Sequence, residues 1–169
     1  MVTPKSKPAT APPIAVRAHV LIIEARYYEA IADELFAGAH AELEAAGSTF
    51  ERMTVPGALE IPQALGQAVR HGVIPHDAVN GRYGGVIVLG CVIRGETSHY
   101  DIVCNNANHW LYGIATRHAI PLGNAILTVD TDAQAMARAR GGRAGKGGDA
   151  ARACLRLIQI SHQLQGQGT

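Results

Sequence analysis

The chain lacks several features that would assign it to a class at once. It has no apolar run approaching the roughly 20 residues that a membrane-spanning helix needs, so no membrane partner is expected. It has no excess of charge: the formal net charge is +1 and the pI about 7.8. That leaves no basic footprint for nucleic acid. Cysteine is scarce, and Cys91, Cys104 and Cys154 are odd in number and far apart. This argues against a disulfide framework or a zinc knuckle and for reduced thiols in a cytoplasmic protein. The lysines near Met1 have no apolar segment behind them, which excludes a secretory signal. The eight histidines are scattered singly and no H-E-x-x-H occurs, so no metal site is expected. No G-x-G-x-x-G follows the first strand candidate, and no G-x-S-x-G elbow exists. The glycine-rich run around Lys146 fails as a phosphate loop. Arg140 stands where the first glycine should be, and Gly147 stands in place of Ser or Thr.

What the chain does have is enough apolar residues, 47% of 169, to build one core. Residues 1–13 carry four of the eight prolines and read as an extended tail, leaving 14–169 as a single domain. From there strand and helix patterns alternate. Val16 to Ile23 is a strand, and Ile31, Leu35, Ala39, Leu43 and Ala46 recur as one helix face closed by Gly47. Thr49 to Val55 is a second strand, broken by Pro56-Gly57, and a second helix starts near Ile61 with Pro62 tolerated in its first turn. Leu65, Ala68 and Val69 form its apolar face. A polar loop follows through Pro75 and Asn80-Gly81, then a buried strand from Val86 to Leu89. A third helix carries Ile102, Val103, Trp110 and Ile114, and Ala125 to Val129 forms a fourth strand. Thr131 and Gln134 make a capping box for a fourth helix ending near Arg140. The run Gly141 to Gly148 reads as a flexible hinge. A last helix starts near Asp149, with Ala153, Leu157, Ile160 and Leu164 on its face.

Successive right-handed βαβ units give an α/β fold: a three-layer αβα sandwich around a four-stranded parallel sheet in flavodoxin-like order. Ligands bind such sheets at the carboxyl ends of the strands. The unusual residues fall there: Tyr27 after the first strand, Gly57 to Glu60 after the second, Arg94 to His99 after the third. The stretch Gly84–Asp101 supports two readings. One is a phosphate cradle: a helix start with free N–H groups, Arg94, two hydroxyls, and His99 as an acid/base. The other is an ordinary strand–helix corner capped by Thr97 or Ser98. Glu60 likewise suits a site or a solvated helix start, and Trp110 a core or an interface.

Taken together, several stretches resemble the lumazine synthase family. They are Ala25-Arg26-Tyr27, Val55-Pro56-Gly57-Ala58-Leu59-Glu60-Ile61-Pro62, the run Leu89 to Asp101, Leu127-Thr128 and Lys146-Gly147. The resemblance runs from about Val16 to Leu164. It implies a transferase of riboflavin biosynthesis. Such an enzyme joins 5-amino-6-(D-ribitylamino)uracil to 3,4-dihydroxy-2-butanone 4-phosphate, releases phosphate and water, and needs no cofactor or metal. By position, Tyr27 matches the aromatic that stacks on the pyrimidine, and Ala58, Leu59 and Glu60 match the segment that binds the ribityl chain. Cys91, Val92 and Ile93 match the backbone that reads the pyrimidine edge. Gly95, Glu96 and Thr97 match the phosphate-binding turn, with Arg138 matching an arginine from a neighbouring subunit. His99 matches the acid/base. The resemblance also implies a homo-oligomer, a pentamer or its multiples, with sites between subunits and the apolar third helix with Trp110 at an interface. It implies a product passed on to riboflavin synthase. Two positions depart from the family pattern. Asn124 stands where many relatives carry an aromatic lining the pyrimidine pocket. Gly142 stands where many carry a lysine, leaving Arg143 or Lys146 as substitutes. The Asn124 departure keeps a second reading open, a riboflavin-binding or shell-forming relative with little turnover. A flavin-carrying redox protein is a third.

Overall fold

The computed structural model describes residues 12–77 and 80–166. The proline-rich stretch expected as a tail lies outside the described residues except for its last two. Strands and helices alternate as β1 (His19–Ala25), α1 (Glu29–Ala46), β2 (Thr49–Val55), α2 (Glu60–Arg70), β3 (Gly85–Ile93), α3 (His99–Arg117), β4 (Leu122–Val129), α4 (Asp132–Ala139) and α5 (Lys146–Gly166). A short 3₁₀ turn, Gly142–Ala144, precedes α5. The sheet is parallel throughout, in the order β2-β1-β3-β4, which is the flavodoxin-like order expected.

The layers follow from the two-residue period of the strands. Val20 and Ile22 of β1, Ile87 and Leu89 of β3, and Leu127 and Val129 of β4 face α1, α4 and α5. Leu21, Ile23, Val86, Val88 and Ile126 face α2 and α3. β1 and β3 are central and covered on both faces, hence their nearly unbroken apolar runs. Glu24 is the exception in β1. It is fully buried, and it accepts hydrogen bonds from Arg52 Nε at 2.9 Å and Nη2 at 2.6 Å.

Several boundaries differ from the sequence expectation, each for a packing reason. β1 starts at His19 rather than Val16. β3 does not stop at Leu89 but continues through Gly90 to Ile93, because β4 pairs with it as far as Ile93↔Val129. β4 starts at Leu122, and Gly123 lies inside it. A Cβ there would stand 1.9 Å from the Ala150 carbonyl oxygen, so the glycine lets α5 lie directly on the strand.

The run Gly141–Gly148 is a tight crossing and not a hinge. α5 already begins at Lys146, and a Cβ on Gly147 would stand 1.8 Å from the Leu35 carbonyl oxygen of α1. That close approach also turns the faces of α5. Small residues go inward, so Ala150, Ala151, Cys154, Leu155 and Ile158 are buried. Leu157 and Leu164, expected in the core, are 42% and 65% exposed. On α3 the buried stripe is Val103, Ala107, Leu111 and Ala115, while Ile102 and Trp110 face outward at 53% and 59% exposure.

Candidate active site

A cavity of about 360 Å³ opens at the carboxyl edge of the sheet, within the size range of small-molecule sites. Three strand ends build it. After β1, Tyr27 and Tyr28 meet edge to face, with ring centroids 4.9 Å apart. Tyr27 is 74% exposed at the mouth. After β2, Gly57, Ala58, Leu59 and Glu60 form the next wall, the last opening α2 where its charge complements the helix dipole. A Cβ on Gly57 would come within 3.1 Å of Glu60 Oε2, so this glycine leaves room for the carboxylate. From β3 come Cys91, Val92 and Ile93, and beyond them Gly95, Thr97 and His99.

The turn into α3 bears on the two readings of this corner. Neither hydroxyl caps the helix in the ordinary way: Ser98 occupies the cap position without a side-chain hydrogen bond. Thr97 Oγ1 accepts only a long bond, 3.4 Å, from the His99 N–H. Thr97 and His99 instead line the cavity with Gly95, beside the N-terminus of a 19-residue helix. Such a place holds an anion by its free N–H groups and the positive end of the dipole.

Three further cavity groups, Cys91, Tyr28 and Tyr100, are neutral near pH 7. Burial pushes the Cys91 thiol up to about 11, with help from the Asp132 and Cys104 charges. Burial likewise raises the phenols of Tyr28 and Tyr100 above their ordinary value. The cavity therefore offers hydroxyl donors, a carboxylate, an imidazole and backbone amides, and no thiolate nucleophile. Among the described residues no group of His, Cys, Asp and Glu could hold a metal ion.

Comparison with known sequences gives the family. Residues 17–162 match the sequence model of 6,7-dimethyl-8-ribityllumazine synthase. A protein of that name from Azorhizobium caulinodans is 50% identical over 96% of this chain and 98% of its own. Another from Methylobacterium radiotolerans is 47% identical over 95% of this chain and 93% of its own. A third, from Xanthobacter autotrophicus, is 51% identical over 88% and 87%. The chain belongs to the 6,7-dimethyl-8-ribityllumazine synthase family.

Not every position matched to lumazine synthase residues reaches the cavity of its own chain. Glu96 is exposed and outside it. Asn124 sits in the body of β4 opposite Val88, five residues before the strand end. Its amide donates to Asn108 Oδ1 at 2.8 Å, and its own Oδ1 accepts the Ile126 N–H at 2.8 Å. Arg138 is exposed on α4, its Nη1 donating to the Gln134 carbonyl at 2.9 Å. Of the two candidates for the missing lysine charge, Arg143 is engaged with fully buried Glu42, Nε to Oε2 2.8 Å. Lys146 is paired with Asp149 at 3.2 Å and half exposed. Arg94, expected at the phosphate, also lies outside the cavity. It pairs with Asp130 at 3.0 Å instead.

Three lining residues are not among the site residues read from the sequence: Tyr28, Tyr100 and Val103. Val103 lies one helical turn beyond His99, a spacing that would have found it. Tyr28 and Tyr100 each adjoin a matched position, and nothing in their spacing sets them apart. No helix among the described residues is long and apolar enough to cross a membrane.

Proposed function

We propose that the chain catalyses the condensation of 5-amino-6-(D-ribitylamino)uracil with 3,4-dihydroxy-2-butanone 4-phosphate. The products are 6,7-dimethyl-8-ribityllumazine, phosphate and two waters. One observation carries the reading. Tyr27, Ala58 to Glu60, Cys91 to Ile93, and Gly95, Thr97 and His99, scattered over 73 positions of sequence, line one cavity. In this reading the pyrimidine stacks on Tyr27, with its edge read by the backbone of Cys91 to Ile93. The ribityl hydroxyls run along Ala58 to Glu60. The phosphate lies at the Gly95–Thr97 turn and the start of α3. Imine formation, phosphate loss and ring closure each move a proton, and His99 is the cavity group suited to that task. The helix N–H groups stabilise the charge on the departing phosphate.

Arg138 and Asn124 lie outside the cavity of their own chain, which favours sites completed by an adjacent subunit. In that arrangement Arg138 reaches a neighbour's phosphate. We place exposed Ile102 and Trp110, with the groove that Trp110 lines between α2 and α3, at the subunit contact, in a pentamer or a multiple of five. Residues 14–169 act as one domain in the cytoplasm, and the product passes to riboflavin synthase. The test is direct. Purified protein with both substrates should produce lumazine, followed by its absorbance, and native mass measurement should give five subunits or a multiple. A protein that binds the pyrimidine yet produces no lumazine would remove the catalytic reading.

A further inference from the structure

Arg94 is the one residue of the β3–α3 corner that looks made for phosphate and does not face the cavity. Its guanidinium is committed elsewhere on three sides. Nε donates to Asp130 Oδ1 at 3.0 Å, and Nη1 lies 3.6 Å from Asp101 Oδ1. Its central carbon sits 4.0 Å from the centre of the Tyr100 ring. Its backbone N–H donates to the Val129 carbonyl at 2.9 Å, continuing the β3–β4 ladder by one more bond. A guanidinium already shared between two carboxylates has little left for an anion.

These contacts join two places. On one side are Tyr100 and Asp101, in the first turn of α3, next to His99 and the Gly95–Thr97 turn. On the other is Asp130, the corner from which α4 departs. The Asp130 N–H donates to Gln134 Oε1 at 2.9 Å, and Thr131 Oγ1 accepts the Gln134 N–H at 3.2 Å. The Gln134 carbonyl in turn accepts from Arg138. One continuous set of polar contacts thus runs from the cavity wall, through Arg94, to Arg138.

We propose that Arg94 is a positioning residue that keeps two phosphate-binding elements in register: the Gly95–Thr97 turn with His99 in its own chain, and the Arg138 that α4 lends to a neighbour. The inference rests on the functional reading above. Its energetic logic is local. Arg94, Asp130 and Asp101 are 46%, 65% and 57% exposed. Ion pairs that open to water add little to global stability. What the brace contributes is placement, to which phosphate contacts are sensitive because small displacements cost much rate. Lysine cannot replace it, since no ammonium makes two directed bonds and lies flat on a ring at once.

The test is a double-mutant cycle with Arg94→Gln, Asp130→Asn and the pair together, plus Arg94→Lys. Each single change should raise KM for the butanone phosphate about tenfold or more while KM for the pyrimidine stays within about twofold. The pair should be no worse than either single change, since both remove one brace. Melting temperature should fall by less than about 3 °C. Binding of inorganic phosphate to the unliganded protein, measured by calorimetry, should weaken alongside. An unchanged KM for the phosphate substrate, additive effects in the cycle, equal rises in both KM values, or full activity in Arg94→Lys would each overturn the proposal. If wild-type protein turns over neither substrate, the functional reading falls. The phosphate calorimetry then still decides the brace: weakening in both single variants supports it and unchanged binding overturns it.

Discussion

His99 is the first residue of α3 and is exposed, so its side chain carries little packing. Replacing it with alanine should lower kcat by roughly a hundredfold or more, the usual effect of losing a positioned acid/base. The melting temperature and native mass should stay unchanged. A variant with wild-type kcat would take the imidazole out of the mechanism. Cys91 makes the opposite point. It lines the same cavity, yet burial lifts its thiol from 9.0 to about 11. Two pH units reduce the thiolate fraction about a hundredfold, and alkylation follows the thiolate. At pH 7 iodoacetamide should therefore modify Cys91 far more slowly than free cysteine, as read by mass spectrometry of the peptide. Rapid labelling there would mean an ionised thiol and a different reaction. At this scale most of the cavity lining was legible. Tyr27, Glu60, Thr97 and His99 are chemically distinctive residues just past strand ends. Asn124 and Arg138 were legible only by resemblance, and a resemblance reports a position in sequence without saying whose cavity the side chain enters.

Among the elements, the crossing of α1 and α5 is the most demanding. Gly38 of α1 belongs to it as well: a Cβ there would lie 2.7 Å from the Gly142 carbonyl oxygen. Gly147→Ala would drive a methyl into the Leu35 carbonyl, with only backbone to yield. Overpacking of this kind costs about 3 kcal/mol or more where the neighbour cannot move. The urea midpoint should drop accordingly, and a midpoint equal to wild type would mean that the helices slide apart freely. A charge is buried beside this crossing. Glu42 of α1 is fully buried and accepts from Arg143 Nε and Arg152 Nη2, each at 2.8 Å. Burial alone would raise its pKa, but the hydrogen bonds from the two arginines outweigh that and hold it below the ordinary 4.5. A carboxylate depressed in the folded state stabilises it fully above the unfolded value and loses that contribution as pH falls through the folded one. Melts between pH 7 and pH 3 should show wild type losing stability below about pH 4.5, in line with ordinary carboxyl titration. Glu42→Gln should start about 3–5 kcal/mol lower because it removes the buried charge that Arg143 and Arg152 share, and it should lose less on acidification. The elements themselves were mostly visible as hydrophobic period and turn residues, β2 with both of its ends. The misses around α5 share one cause. By pattern the glycines in Gly141–Gly148 and at Gly123 read as chain breakers, whereas Gly123, Gly147 and Gly148 are contact points where two backbones meet. Once α5 lies that close, its small residues face inward, and the larger stripe of Leu157 and Leu164 is left outside.

At the scale of the whole molecule, the same accounting of faces points outward. A sequence pattern tells which helix stripes are apolar. It does not tell which of two apolar stripes meets the sheet and which meets another chain. On α3 both exist: Val103, Ala107, Leu111 and Ala115 are buried, while Ile102 and Trp110 stand exposed. Trp110 and Ile114 line a groove of about 450 Å³ with Leu59, Pro62 and Gly66 of the α2 segment. Leu59 lines both this groove and the cavity at the sheet edge, so one residue separates the proposed subunit contact from the proposed site. On the proposed function, contact at the groove and completion of the cavity are one event, and activity should depend on assembly. Large aromatics at the centre of an interface carry much of its energy, and truncating or charging one costs about 2 kcal/mol or more. Trp110→Glu should therefore shift the native mass toward smaller species. Its specific activity should fall on dilution and recover at high protein concentration, with secondary structure unchanged by circular dichroism because the side chain is exposed within one chain. Full activity from a dissociated Trp110→Glu subunit would show that a single chain holds a complete site, and would place Arg138 outside the reaction.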